Sequence, residues 1–193
     1  MKIIRIPFTR MQQEFERVLL KWGFPEERAK LAAQIFAQNS LDGVLSHGVN
    51  RFAGFIAMIQ EGYVKPQEEP EKVSALGAWE QWDGRLGPGP LNAYACTERA
   101  MALARTQGMG CVALRNTNHW MRGGAYGWQA SEAGFIFIGW TNTKPNMPPW
   151  GGRDKRIGNN PLVLAVPRPE GPVVLDMATS QFSYGRLETA RRL

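Results

Sequence analysis

A chain of 193 residues with 44% hydrophobic and 21% charged residues can bury a sizeable core, which excludes a largely disordered protein. Its net charge of +6 comes mostly from scattered Lys and Arg, which disfavours a nucleic-acid binder and suits a small anionic substrate or a phosphate-bearing cofactor. Cys96 and Cys111 form no zinc-binding motif. The low cysteine count and the lack of signal-peptide or membrane-spanning runs predict a cytoplasmic protein.

The first 65 residues predict a helical layer. Apolar residues recur at helical spacing over 10–22, with Thr9 as the expected N-cap. A second helix is expected over 25–42, and a third over 47–61 with Ser46 as its N-cap. A glycine follows each of these helices, as is usual where a helix ends.

From residue 66 onward, strands and helices alternate. The pattern predicts a strand or hairpin over 73–84, helices over 90–107 and 123–134, buried strands over 110–116 and 135–142, two further strands over 162–178, and another helix beginning near 180. The sequence therefore predicts an α/β fold, α+β-like in character, with a helical domain over 1–65 and a mixed-sheet domain over 66–193.

The stretch "LGPGPLN" at 86–92 places paired glycines before a helix. Pro88 and Pro90 remove amide donors that a pyrophosphate site would use, so we expect a turn here. A Rossmann fingerprint is therefore absent from the sequence, so that a nicotinamide-dependent enzyme with this sequence would use another fold.

The stretch "SHGVNR" at 46–51 holds one of only two histidines. If Ser46 caps a helix, His47 and Arg51 project from the same face four residues apart. Such a pair offers a proton donor near neutral pH and a planar cation that grips a carboxylate, which suits reduction of a 2-oxo acid. The alternative is a capping serine followed by an incidental histidine and a solvated arginine.

The second histidine, His119, lies in "RNTNHWMRGG" after a predicted strand. Ligands bind at the carboxyl ends of strands in α/β folds, which makes Asn116, Asn118, His119 and Arg122 of this loop candidate site residues. Trp120, in the same motif, is a further candidate for substrate binding. The alternative is a polar loop with a glycine turn.

Two further segments suit a cofactor. The loop over 140–161 is too long for an ordinary connection, and its backbone amides and Asn side chains match ribose and carboxamide groups. Its candidates are Asn142, Gly158 and Asn160, and the alternative is a long surface loop. Asp176 ends an apolar run and could accept hydrogen bonds from ribose, or could cap the next helix instead.

Six ordered blocks together resemble the type 2 malate/L-lactate dehydrogenase family, a group of NAD(P)H-dependent oxidoreductases without a Rossmann fold. The blocks are "SHGVNRF", "LGAWEQWDG", "ALRNTNHWMRGGAYGWQA", "MPPWGG", "RIGNNPL" and "LDMATSQFSYG". The resemblance runs from about residue 10 to 193. Members of the family exceed 300 residues, so only their N-terminal part is matched.

The resemblance implies a homodimeric, cytoplasmic enzyme that uses NADH, or alternatively NADPH, and no metal. It implies reduction of a 2-oxo or 2,3-dioxo acid, with 2,3-diketo-L-gulonate as the expected substrate. His47 would donate the proton beside Ser46, Arg51 would hold the carboxylate, and His119 would line the same site. Thr143 and the segment 176–178, with Met177 and Ala178 beside Asp176, would contact the cofactor.

Two alternatives remain open from the sequence. One is a malate- or lactate-type dehydrogenase of the same family. The other is a truncated, catalytically inactive fragment that retains only ligand binding or dimerisation.

Overall fold

The computed structural model describes residues 4–180 and residue 190, and the predicted helix near 180 lies largely outside this part of the chain. Contacts divide the chain into two compact units, 1–122 and 123–193. Their bounds differ from the expected domains 1–65 and 66–193, which stay a prediction. Among the described residues, no helix combines the length and apolar character that a membrane span requires.

The first unit begins with three helices and a single 3-10 turn. The elements are α1 (Phe8–Lys21), α2 (Glu26–Leu41), the 3-10 turn (Leu45–His47) and α3 (Val49–Gln60). The three predicted helices are confirmed, but two predicted caps are wrong. Pro7 rather than Thr9 precedes α1, and Gly48 rather than Ser46 precedes α3, because the chain closes a separate 3-10 turn at His47 first.

The core of the first unit lies among these helices. Phe36 and Phe55 are almost completely buried, with ring centroids 5.2 Å apart, and Phe36 meets Phe52 edge to face at 5.1 Å. Such aromatic packing adds favourable geometry to a large buried apolar area. Met121, far along the chain, joins the same core, and this ties the segment after the second histidine to the helical layer.

A three-stranded sheet completes the first unit. Its elements are β1 (Glu71–Leu76), β2 (Trp79–Asp83), α4 (Gly89–Gln107) and β3 (Cys111–Arg115), with strand order β1-β2-β3. The first strand pair is antiparallel and the second parallel, so this sheet is mixed. The expected buried strand at 110–116 forms but has no fully buried residue, because β3 is an edge strand.

The second unit is a helix with an antiparallel sheet. Its elements are α5 (Gly124–Glu132), β4 (Phe137–Trp140), β5 (Leu162–Val166) and β6 (Val173–Met177), in the order β4-β5-β6. Gly127 of α5 lies so close to Val163 and Ala165 that an added Cβ would sit 3.1 Å from each. The other face carries exposed apolar side chains, so the expectation of a buried strand over 135–142 is wrong.

The mixed α/β character predicted from the sequence is confirmed. The described strands form two small three-stranded sheets, one in each unit.

Candidate active site

The junction between the 3-10 turn and α3 is held close to α2. The Val49 amide donates to Ser40 Oγ at 2.9 Å, and that hydroxyl donates to the Phe36 carbonyl at 2.8 Å. Buried Asn39 donates its side-chain amide to the His47 carbonyl at 3.1 Å. A Cβ on Gly48 would lie 2.2 Å from Ser40 Oγ, so only glycine allows this approach.

The two histidines meet in the first unit. Their ring centroids are 5.6 Å apart and the planes are tilted by 43°. Ser46 Oγ lies 2.9 Å from His47 Nδ1, within hydrogen-bond distance, so the serine orients the ring rather than capping a helix. The structure thus brings together Ser46, His47 and His119, which the sequence places more than 70 residues apart.

The Arg51 guanidinium forms a hydrogen bond with the segment that carries Ser46 and His47. Its Nε donates to the Ser46 carbonyl at 3.4 Å, which places the cation beside the serine–histidine pair. The capping prediction assumed that His47 and Arg51 share one helix. They do not, because Gly48 separates the 3-10 turn from α3. They nevertheless converge on His119, whose pKa both of them lower.

His119 is exposed along part of its surface, yet protein atoms crowd its ring. The resulting loss of hydration lowers the pKa of His119 to about 4, and the nearby His47 and Arg51 act in the same direction. The Met121 amide donates to Nδ1 of the ring at 2.9 Å. At neutral pH, His119 is therefore uncharged.

The segment before His119 is braced by the loop that leads into α4. Asn118 Nδ2 lies 3.1 Å from both the Leu86 and the Gly87 carbonyl. A Cβ on Gly89 would lie 2.4 Å from the carbonyl oxygens of both Asn118 and His119. The amide nitrogen of Asn118, a candidate substrate-binding residue, is thus engaged with backbone carbonyls.

The expected turn precedes α4, which begins at Gly89, one residue before the expected helix start. Gly87 and Gly89 are the signal in the sequence for the close approach of this loop to the backbone of residues 118 and 119. Met121, Asn39 and Ser40 were missed, since nothing in a linear sequence distinguishes them from core or helix residues. Trp120 lies half-buried next to His119 along the chain.

A shallow cavity of about 320 Å³ also lies in the first unit, lined by Lys65, Glu68, Arg85, Leu86 and Asn116. Neither histidine lines it, and Arg85 already forms ion pairs with Glu68, at 2.8 Å, and with Glu71. Because these charges are matched within the protein, the histidine pair is the better candidate for chemistry.

In the second unit, the candidate cofactor residues of the long loop cluster around one hydroxyl group. Thr143 Oγ1 donates to Asn159 Oδ1 at 2.8 Å, and the Thr143 amide donates to Asn160 Oδ1 at 2.9 Å. A Cβ on Gly158 would lie 2.2 Å from the same hydroxyl. Thr179 donates both its amide and its hydroxyl to the Asn159 carbonyl, which ties the chain after β6 to this cluster.

Asp176 has a structural partner in the second unit. Its Oδ2 accepts the Gly124 amide at 2.8 Å, at the start of α5. Asp176 thus contacts the first residue of the preceding helix α5, and the helix that it was expected to cap lies outside the described residues. Met177 pairs with Leu162 in the sheet, Ala178 is half-buried and Asn142 is exposed.

Comparison with known proteins identifies the family. A sequence model described as malate/L-lactate dehydrogenase matches residues 6–193. The chain belongs to the malate/L-lactate dehydrogenase family.

Among curated proteins, the chain is similar to several that are named 2,3-diketo-L-gulonate reductase. The chain is 48% identical over 189 residues to a 2,3-diketo-L-gulonate reductase of Klebsiella pneumoniae (strain 342), covering 97% of this chain and 56% of the relative. It is 49% identical over 188 residues to a protein of the same name from Mannheimia succiniciproducens, with the same coverage. The chain therefore spans about half the length of the curated relatives it matches.

Solved family structures share the fold. Malate dehydrogenase from Pyrococcus horikoshii OT3 matches with a TM-score of 0.93 and 37% identity, over 96% of this chain and 53% of the other. Sulfolactate dehydrogenase from Methanocaldococcus jannaschii matches with a TM-score of 0.91 and 34% identity, over 98% and 55%.

The polar groups of the second unit are chemically suited to the nicotinamide dinucleotide that a dehydrogenase family implies. Asn146 Oδ1, in the same long loop, is buried and has no hydrogen-bond partner. Ribose hydroxyls and the nicotinamide carboxamide are donors that such an acceptor can bind. The loop thus offers an unsatisfied acceptor besides the cluster around Thr143.

Proposed function

We propose that the chain reduces the keto group of a 2-oxo or 2,3-dioxo acid to a hydroxyl with NADH or NADPH, and that 2,3-diketo-L-gulonate is its substrate. The observation that carries this proposal is the meeting of His47, His119 and Arg51 in the first unit. A proton donor and a carboxylate-binding cation are the two protein groups that this reduction requires. The names of the curated relatives support the choice of substrate.

The proposed reaction begins with the substrate carboxylate on Arg51, whose guanidinium can form two parallel hydrogen bonds with it. The nicotinamide supplies a hydride to the keto carbon when bound, and the carbonyl electron pair moves to oxygen. That oxygen takes a proton from His47, so that the keto acid becomes a hydroxy acid. Ser46 holds the His47 ring through Nδ1, which favours proton transfer from Nε2.

Cofactor binding is assigned to the second unit. We propose that Asn142, Thr143, Gly158 and Asn160 form one part of the cofactor site, and Asp176, Met177 and Ala178 another. Asn146 would accept a hydrogen bond from the cofactor, because its buried oxygen has no partner in the protein. Asn118 and Trp120, next to His119 in the first unit, would position the substrate. We further propose that the active form is a cytoplasmic homodimer.

The test is NADH and NADPH consumption by the 193-residue chain with 2,3-diketo-L-gulonate, oxaloacetate and pyruvate. We expect the highest kcat/KM with the dioxo acid. Preference for oxaloacetate or pyruvate would instead support a malate- or lactate-type enzyme, a second candidate favoured by the structural match to malate dehydrogenase. The inactive-fragment alternative would be favoured by two results together. No combination of cofactor and substrate would be consumed faster than without protein, and NADH binding would be undetectable.

Two substitutions test the assigned roles. His47→Ala should lower kcat by about 10²–10⁴-fold, the usual contribution of a general acid. Arg51→Lys should mainly raise KM, since lysine lacks the planar fork that grips a carboxylate. Arg17→Lys, at an exposed pair on α1, serves as the control and should change neither constant. An unchanged kcat in His47→Ala would remove His47 as the proton donor.

A further inference from the structure

The hydrogen bond at His119 determines where its proton lies. The Met121 backbone amide is 2.9 Å from Nδ1 of the ring. A backbone N–H can only donate, so Nδ1 must accept and carries no proton. The proton of the neutral ring is therefore on Nε2.

Met121 is fixed in the conformation that this hydrogen bond needs. Its φ is +65°, a left-handed value that is strained for a residue with a side chain. The side chain is only 2% exposed and belongs to the helical core. Burial of the methionine thus holds the strained backbone whose N–H faces the histidine.

The backbone on the N-terminal side of His119 is also constrained. Asn118 contacts two carbonyls of the loop before α4, and Gly89 leaves no room for a Cβ against the backbone of residues 118 and 119. The ring of His119 is therefore positioned from both directions along the chain. A change of tautomer would require this braced segment to move.

Protonation of His119 is opposed by its neighbours. A proton on Nδ1 would face the Met121 N–H, so two donors would meet and the hydrogen bond would be lost. His47 on the 3-10 turn and Arg51 on α3 are the titratable and charged groups facing the ring, and a positive charge there would repel a second one. Both effects act in the direction of the lowered pKa of His119.

We propose that the Met121 amide locks His119 as the neutral Nε2–H tautomer, so that His119 donates a hydrogen bond to the substrate oxygen but does not supply the proton. The two histidines then have different roles: His47 transfers the proton and His119 polarises the carbonyl. Met121 is a positioning residue that acts through its backbone. The substrate half of this assignment rests on the proposed function, whereas the tautomer does not.

The tautomer can be measured directly because the chain has only two histidines. Protein labelled with ¹⁵N at histidine, without substrate or cofactor, should give two ring spin systems in long-range ¹H–¹⁵N spectra. His47→Gln removes one of them and assigns the other. We expect His119 to show an unprotonated Nδ1 and a protonated Nε2 at pH 7, and to titrate well below the ordinary histidine pKa of about 6.5.

An Nδ1–H tautomer for His119, or a titration midpoint near the ordinary value, would overturn the inference. Met121→Leu is the matched variant, since it keeps the backbone N–H and an apolar side chain of similar size. It should leave the tautomer unchanged. These spectra need no turnover, so a failed activity assay would contradict the proposed function without affecting this result.

A second experiment separates a neutral donor from an acid. The side-chain nitrogen of glutamine can overlie Nε2 of histidine, while that of asparagine lies nearer to Nδ1. His119→Gln should therefore keep kcat within about tenfold of the original, and His119→Asn should lose about 100-fold or more. Equal losses of that size in both variants, with both folded by circular dichroism, would contradict the neutral hydrogen-bond donor role of His119.

Discussion

Glycine at position 48 sets how closely the candidate active site approaches α2. An added Cβ would be 2.2 Å from Ser40 Oγ and 2.8 Å from the Ser40 amide, and a backbone atom cannot move away at small cost. The same contact orders the segment that carries Ser46, His47 and Arg51. A side chain at position 48 would therefore displace the neighbouring residues Ser46, His47 and Arg51, to which the proposed function assigns chemical roles.

Gly48→Ala should destabilise the chain by about 1–3 kcal/mol, the usual cost of overpacking, and should lower kcat because His47 is displaced. The matched control is Gly54→Ala, within α3, where nothing lies within 4 Å of the added Cβ. That variant should be about 0.5–1 kcal/mol more stable, since alanine favours a helix over glycine. Urea unfolding measures both, and equal effects in the two variants would contradict the steric argument.

Gly48 also shows how far the sequence could predict this site. The motif "SHGVNR" predicts a proton donor and a carboxylate-binding cation, because a histidine and an arginine so close together suit the protonation and binding of a keto acid. It could not reveal that the helix begins after Gly48, since that depends on Ser40 and Asn39 of another helix. The pairing of His47 with His119 depends on packing between distant segments, which local spacing does not encode.

At the level of elements, the first sheet is attached to α4 through a buried carboxylate. Glu80 on β2 is 2% exposed, and Arg99 of α4 donates to its two oxygens at 2.7 and 2.9 Å. The Trp82 indole adds a hydrogen bond at 2.8 Å. The hydrogen bonds from Arg99 are the largest influence holding the pKa of Glu80 at about 2, against an opposing effect of burial.

Glu80→Gln should lower the free energy of unfolding at pH 7 by about 1–3 kcal/mol, because Gln keeps the shape but loses the charge-assisted bonds. The folded pKa is about 2 and the ordinary value is 4.5, so this contribution is fully present above pH 4.5 and is lost as pH falls from there towards 2. The difference between variant and original should therefore shrink over that pH range in urea titrations.

The control for this ion pair is Glu14→Gln on α1. Glu14 pairs with Arg17 at the surface, where both side chains are more than half exposed, so the change should stay within about 0.5 kcal/mol at every pH. A loss in Glu14→Gln as large as that in Glu80→Gln would show that burial of the carboxylate is not what matters.

The order of helices and strands could be predicted from periodicity and glycine positions, as the hairpin of β1 and β2 and the helix ending before Gly108 illustrate. Which strands pair could not. The strand β5 pairs with β6, which follows it closely, and with β4, which precedes it across a loop of about twenty residues. Pairing across such a loop depends on side-chain contacts such as those of Val163 and Ala165 with α5.

At the level of the whole molecule, burial is uneven across the sheet of the second unit. Val163 and Ala165 are completely buried on one face. The opposite face exposes Ile138 by 60%, Trp140 by 68% and Leu175 by 46%. The strand register aligns Ile138 with Leu164 and Leu164 with Leu175, so the exposed side chains form a continuous apolar surface.

A contiguous apolar surface should bind hydrophobic dyes, whereas isolated exposed apolar residues should not. We expect the native chain to enhance the fluorescence of anilinonaphthalene sulfonate, and the double variant Ile138→Lys/Leu175→Lys to lose at least about half of that signal. The control changes two exposed leucines on separate elements of the first unit, Leu20→Lys/Leu76→Lys, and should keep the signal. Equal losses in both double variants would mean that the dye reports general apolar exposure and not this face of the sheet.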